Sequence, residues 1–293
     1  MRVLVAGASG FLGRAWTAHL RANGHDPVRL VRRDARPGDV TWDPYSGHLD
    51  PSVLDGVDAV ACLSGATIVH WPWTASYRKT FRDSRVVPTR VLAEAVAASD
   101  RKPPMVAQNG VAGYGDHGDH VITERTPTDA DTFLGGVTRD WERATDAAAA
   151  AGARLVVLRT AVVLDREGGA LKPMLLQFRA GAGGPIGGGR QYFATISLLD
   201  WLRAATHLTE SGDGVYNVAG PHQTTNREFV QTLARLLHRP AVLPAPALPI
   251  KLFAGPASSD ILGSARVEPR RLLDEGFTFE HPTLVDRLTA ALH

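Results

Sequence analysis

The pattern of apolar and polar positions falls into two textures. Up to about residue 165, short apolar runs rich in β-branched residues alternate with longer segments of helical spacing. Runs that are apolar almost throughout fit strands covered on both faces, and their alternation with helices fits a doubly wound parallel sheet. Strands are expected at Val3–Ala6, Pro27–Val31, Ala59–Leu63, Met105–Gln108 and Leu155–Leu158, with a short one near Val40–Trp42. Helices are expected at Leu12–Asn23, closed by Gly24, at Thr74–Ala98, where Pro88 can kink it, and at Asp140–Ala151.

After Asp165 the periodicity weakens. Six glycines fall within residues 181–190, too many for a helix or a packed strand, so this stretch reads as a mobile loop near a ligand. Helices follow at about 198–210, 226–238 and 283–292, with a proline-rich spacer from Pro240 to Pro249. The expected fold class is α/β: a Rossmann sheet over residues 1–165 and a smaller, mostly helical C-terminal lobe over 166–293 that shares part of the sheet.

Composition narrows the function classes. The chain has 293 residues, 44% hydrophobic and 21% charged, with a formal net charge of +2. The longest basic cluster, Arg29, Arg32, Arg33 and Arg36, is too short for a nucleic-acid footprint. No run of eighteen apolar residues and no charged-then-apolar leader is visible, so neither a membrane nor an export signal is expected. A single cysteine, Cys62, excludes an intramolecular disulfide and a cysteine-based zinc site. The expectation is a soluble cytoplasmic protein, monomer or homodimer, whose partner is a small molecule.

The first strand runs into Gly7-Ala8-Ser9-Gly10-Phe11-Leu12-Gly13 and then a helix. Gly7 allows the tight exit from the strand, Gly10 leaves no side chain between backbone and pyrophosphate, and Gly13 allows close helix–strand packing. The helix start adds free N–H donors and the positive end of its dipole. The candidate phosphate-side contacts are therefore Gly7, Ser9, Gly10, Phe11, Leu12 and Gly13. NAD-binding turns place a carboxylate at the end of strand two, whereas this chain has Arg32 and Arg33. Guanidinium forks suit a 2′-phosphate, so NADP(H) is the expected cofactor.

Further segments carry a resemblance. They include Cys62-Leu63-Ser64-Gly65-Ala66, Asp83-Ser84-Arg85 with Thr89-Arg90, Tyr114-Gly115-Asp116, Arg139-Asp140-Trp141-Glu142, and Leu158-Arg159-Thr160. Gly168-Gly169-Ala170-Leu171, the glycine-rich run from Phe178 to Gln191, and Asn217-Val218 with Thr225-Asn226 extend it. The chain resembles the atypical extended short-chain dehydrogenase/reductases known as YfcH-like epimerase-family proteins, which carry a helical C-terminal domain of unknown function. The resemblance implies that Leu63, Ser64 and Gly65 lie against the adenosine side of the cofactor and that Asn109 and Thr160 face the nicotinamide half. Arg85 stands where many extended members have asparagine; it either reaches the cofactor or an acidic substrate, or makes a salt bridge on the helix surface.

The resemblance also exposes what is missing. Ordinary members use Tyr-x-x-x-Lys, the lysine lowering the tyrosine pKa for proton transfer. Alignment puts Leu134 and Thr138 at those places and Asn109 at the partner serine or threonine, and the family itself generally lacks the pair. The chain departs from its family at Gly113, where tyrosine is usual, and at Ser197, where histidine is usual. Tyr114 and Tyr192 are the substitute proton donors. Asp116, His117, Asp119, His120 and Glu124 crowd one loop, which reads as solvated and polar, and no metal is expected. Asp200 reads as a cap or fold residue. Two functions stay open: an NADP(H)-dependent oxidoreductase or epimerase-like enzyme acting on a small carbonyl, imine or sugar-nucleotide-like substrate, and a non-catalytic NADP(H)-binding or regulatory protein.

Overall fold

A computed structural model describes residues 1–241, 255 and 258–293. The proline-rich spacer lies almost wholly outside the described residues. The elements in chain order are β1 (Arg2–Ala6), α1 (Phe11–Ala22), β2 (Asp26–Val31), β3 (Val40–Thr41), β4 (Ala59–Cys62), α2 (Ala75–Ala98), β5 (Met105–Gly110) and β6 (Val121–Ile122). Then come α3 (Phe133–Arg143), α4 (Asp146–Ala150), β7 (Leu155–Thr160), β8 (Val162–Leu164), α5 (Leu171–Arg179), β9 (Thr195–Ser197), α6 (Leu198–Ser211) and β10 (Gly214–Val218). The chain closes with α7 (Asn226–Leu236), α8 (Ser258–Leu262), β11 (Arg266–Val267), α9 (Arg270–Asp274) and α10 (Leu284–Leu292).

Seven strands form one parallel sheet in the order β10-β7-β5-β4-β1-β2-β3. The order reverses between β1 and β4, and in open α/β sheets ligands bind outside the carboxyl ends of the strands at such a switch point. Alternate residues of each strand face opposite layers. Val3 and Val5 pack with Trp16 and Leu20 of α1 and Trp201 of α6, whereas Leu4 and Ala6 pack with Val91, Leu92 and Val96 of α2.

The helix expected at Asp140–Ala151 needs correction: it starts earlier, at Phe133, because Thr132 caps it by accepting a hydrogen bond from the Gly135 N–H. It also breaks at residues 144–145, giving α3 and α4. The long helix expected over Thr74–Ala98 is present as α2, which runs through Pro88. The second half shares the main sheet through its edge strand β10, and it adds two short strands that the periodicity does not show: β9 pairs with β8, and β11 pairs with β6. The lobe's helical part has a separate core in which α5, α7 and α10 bring together Leu175, Phe178, Phe229, Leu233 and Leu288.

Where the lobe meets the sheet, Asp200 is fully buried and accepts from the backbone N–H groups of Glu280 (2.8 Å) and His281 (3.0 Å). The cap of α6 is Ser197, whose hydroxyl accepts from the Asp200 N–H. Ser197 also donates to the Asp200 carboxylate and lies 2.9 Å from the His281 ring nitrogen Nδ1. The residue at the family's histidine position therefore belongs to this clasp.

Candidate functional site

The turn after β1 is built by backbone proximity. Gly7 has φ +78°, and a Cβ there would stand 2.6–2.7 Å from the Leu63 carbonyl and the Ser64 nitrogen, so the ends of β1 and β4 touch. At Gly13 a Cβ would lie 2.7 Å from the Ala8 Cα and closer still to the Gly7 oxygen. Real Cβ atoms do not approach so closely, so both positions require glycine for packing alone. Gly10 is different: its added Cβ would meet one atom, the Gly7 oxygen, at 3.2 Å. Gly10 caps α1 without a side chain, and the first turn of α1 holds no acidic residue. Uncapped N–H groups at a helix start are an anion site.

That turn forms one side of a cavity of about 260 Å³ at the switch point. Gly7, Ser9 and Gly10 line it from below and Leu63, Ser64, Gly65 and Ala66 from the end of β4. Val31 and Arg32 line it from β2, and Ser84 and Pro88 from α2. No lining residue carries a carboxylate. Of the two expected arginines, Arg32 is at the cavity; Arg33 is exposed and lies outside its lining. Sequence reasoning missed a further wall, Trp42, Pro44 and Tyr45. Tyr45 is 52% exposed at the start of a short turn that Asp43 caps through the Tyr45 N–H, so its ring is available to a planar ligand. The signal was an aromatic-proline turn directly after a strand of the switch-point half.

Phe11 and Leu12 follow the turn on α1. The Phe11 ring is covered from the far side by Gly168, where a Cβ would stand 2.6 Å from the ring carbon Cε2. The glycine turn and the entry to α5 are therefore in direct contact.

Arg85 makes no ion pair among the described residues, which overturns the salt-bridge alternative. Its guanidinium donates to the carbonyls of Ala66 (2.9 Å) and Phe81 (2.8 Å) and lies 3.6 Å from the Phe81 ring centroid and 5.3 Å from that of Trp141. Burial away from water pulls its pKa down to about 10. The side chain is still cationic near neutral pH, held by carbonyls and aromatic faces directly behind Gly65.

The region around α3 is filled by side chains. Leu134 is buried with Phe81 and Val137, and Trp73, Tyr77 and Phe133 pack around them. Thr138 is buried and donates to the Gly135 carbonyl. A Cβ at Gly113 would stand 2.9 Å from the Thr138 hydroxyl, so this backbone has no room for a tyrosine there.

Tyr114 is 2% exposed. Its hydroxyl donates to Asn217 Oδ1 (2.7 Å) and accepts from Arg159 Nη1 (2.9 Å), and Arg159 is paired with Glu142 at 2.9 Å. Burial raises the Tyr114 pKa, with the Arg159 charge opposing it. Asn109 belongs to the same network, donating to Glu142 (3.3 Å) and the Thr138 carbonyl (3.1 Å). Thr160 lies on the opposite face of the sheet, accepting from Trp201 Nε1 and donating to Gln108. The resemblance implies that Asn109 and Thr160 face the nicotinamide half; both are buried here, on opposite faces of the sheet.

Tyr192 is half-buried, with the Arg266 guanidinium 5.1 Å from its ring centroid, and it does not line the cavity. The glycine-rich loop stands beside α7: the Arg227 N–H donates to the Gly189 carbonyl, its guanidinium donates to the Gly188 carbonyl, and the Ile186 N–H donates to Asn226. In the polar loop, His117 faces the Tyr114 carbonyl, Asp116 accepts from the N–H groups of Gly118 and Ser264, and Glu124 accepts from those of Asn217 and Arg271. Among the described residues no helix is long and apolar enough to cross a membrane.

Comparison with known proteins agrees with this architecture. Residues 3–164 match the NAD dependent epimerase/dehydratase family, and residues 245–291 match a domain of unknown function, DUF1731. Epimerase family protein Mb2239 of Mycobacterium bovis is 38% identical over 290 residues, covering 98% of this chain and 96% of that one. The crystal structure of human epimerase family protein SDR39U1 (isoform2) with NADPH is similar at a TM-score of 0.90 and 34% identity, covering 100% of both chains. A nucleoside-diphosphate sugar epimerase from Corynebacterium glutamicum is similar at a TM-score of 0.81 and 31% identity, over 100% of this chain and 58% of that one. The chain described here belongs to the NAD dependent epimerase/dehydratase family.

Proposed function

We propose that this chain binds NADP(H) at the switch point and acts as an oxidoreductase or epimerase-like enzyme on a small carbonyl, imine or sugar-nucleotide-like substrate. The observation that carries the cofactor assignment is a cavity bounded by an uncapped helix start and Arg32, with no carboxylate in its lining. An uncapped start suits a pyrophosphate, and a guanidinium without a neighbouring carboxylate suits a 2′-phosphate. The NADPH named with the human relative supports the same choice. Gly7, Ser9 and Gly10 would hold the phosphates, Arg32 and Tyr45 the adenosine end, and Leu63 to Ala66 the opposite wall. When bound, the cofactor supplies the hydride.

The chain's residues orient the cofactor but offer no proton relay of the Tyr–Lys kind. Leu134 has no ionisable group, the Thr138 hydroxyl is a very weak acid, and the Tyr114 proton is committed to Asn217. In this reading the proton of any reduction comes from water, the substrate or Tyr192. The same burial favours the second reading, a cofactor-binding protein without turnover.

Fluorescence titration of NADPH and NADH into the purified protein tests the cofactor assignment, and equal affinities would overturn it. NADPH oxidation followed across a panel of carbonyls, imines and nucleotide sugars separates the two readings. Turnover that survives in Tyr114→Phe supports the enzyme without that donor; no turnover on any of them supports the binding protein.

A further inference from the structure

A second cleft, of about 370 Å³, opens on the α1 face of β2. Arg14 and Arg21 line it from α1, Arg29 from β2, and Arg36 and Asp39 from the loop that follows β2. On a helix, residues seven apart lie on one side, so Arg14 and Arg21 present two cations about 10 Å apart along the axis.

Four guanidinium groups face one carboxylate there, and that carboxylate is already taken. Asp39 pairs with Arg29 through both of its oxygens and also accepts from the Arg36 backbone N–H at 2.7 Å. Arg14 donates to the Ser9 carbonyl at 2.7 Å and Arg21 to the Pro27 carbonyl at 3.4 Å, both neutral acceptors. Among the described residues no carboxylate lies within ion-pairing distance of Arg14, Arg21 or Arg36. Three unneutralised cations around one concavity focus a positive potential into it.

We propose that this cleft binds a small, multiply charged phosphate compound of the diphosphate class, at a site separate from the cofactor cavity. Guanidinium forks match phosphate oxygens two at a time, and the spacing of Arg14 and Arg21 exceeds what one phosphate spans. The two sites touch through one residue. Ser9 lines the cofactor cavity, and its carbonyl is held by Arg14 from the cleft. An anion that engages Arg14 changes that hold, so anion and cofactor alter each other's affinity by the same factor.

Calorimetric titration of inorganic pyrophosphate into the full chain, with and without saturating NADPH, tests the proposal. With saturating NADPH one pyrophosphate binds, at the cleft; without NADPH the open start of α1 can take a second. Arg21→Gln and Arg36→Gln each weaken binding at the cleft about tenfold, the loss of a charge-assisted contact, while thermal melting and NADPH affinity stay at wild-type values. Three results overturn the site: no binding to wild-type protein, binding abolished by saturating NADPH, or binding unchanged in both variants. If the protein takes no NADPH at all, the cofactor assignment fails, and the arginine variants still decide the cleft in the cofactor-free chain.

Discussion

The glycine turn at the switch point and the region around α3 are held by different kinds of contact. At the turn, Gly7 and Gly13 are fixed by backbone against backbone, so a single methyl group collides with main-chain atoms. Around α3, Leu134, Thr138 and Tyr114 are fixed by side chains packed on or bonded to other side chains and carbonyls. Backbone contacts tolerate no substitution, whereas side-chain contacts are rewritten by compensating changes. On the reading proposed above, a chain can keep the turn that would hold the cofactor while the region around α3 becomes core.

The sharpest way to break that contrast is at Gly13. Gly13→Val forces Cβ atoms into the Gly7–Ala8 backbone and is expected to cost about 4 kcal/mol or more, enough to abolish folding or cofactor binding. Denaturant unfolding measures it, and a near-normal midpoint would show that the turn relaxes. Gly10→Val, with its looser surroundings, is expected to keep the fold and lose NADPH binding.

Leu134→Ala tests the region around α3. If Leu134 is core, truncation costs about 2–4 kcal/mol in stability and leaves NADPH affinity alone. A stable variant that loses turnover would instead place Leu134 against substrate. Tyr114→Phe comes next: it leaves Asn217 and Arg159 each short of a partner inside the protein, at a cost of about 1–3 kcal/mol. Any turnover should keep its pH profile, because burial raises the Tyr114 pKa away from neutrality. A profile that shifts in this variant returns Tyr114 to the donor role.

The smallest effect separates the two arginines. Arg32→Ala is expected to reduce the preference for NADPH over NADH by about 1.5 kcal/mol, roughly tenfold. Arg33→Ala should move it by less, since Arg33 is exposed outside the cavity lining. Equal effects would mean that both forks reach the 2′-phosphate.

The strands of the N-terminal half were legible because strands covered on both faces must be apolar throughout, and the turn was legible because its glycines answer to geometry. Other features were hidden for physical reasons. The start of α3 depends on a cap at Thr132 ahead of two glycines that discourage a helical reading. Strand β10 is a short run after a helix, and its place beside β7 is a long-range pairing. The burial of Tyr114 was hidden as well, because its partners Asn217 and Arg159 are remote in sequence. Arg85 was readable as a charge but not as one held by carbonyls and aromatic faces, since its partners Ala66 and Trp141 are remote in sequence.

The position of β10 has a consequence for how the chain is made. The edge of β7 ends at Thr160, yet the strand that covers it begins at Gly214. At ribosomal speeds the intervening stretch takes roughly 3–10 s to emerge, and during that time β7 presents an open row of N–H and C=O groups. A chain truncated near residue 165 would keep that edge open permanently. It is expected to pair with copies of itself and aggregate, although every strand that touches the switch-point cavity would be present.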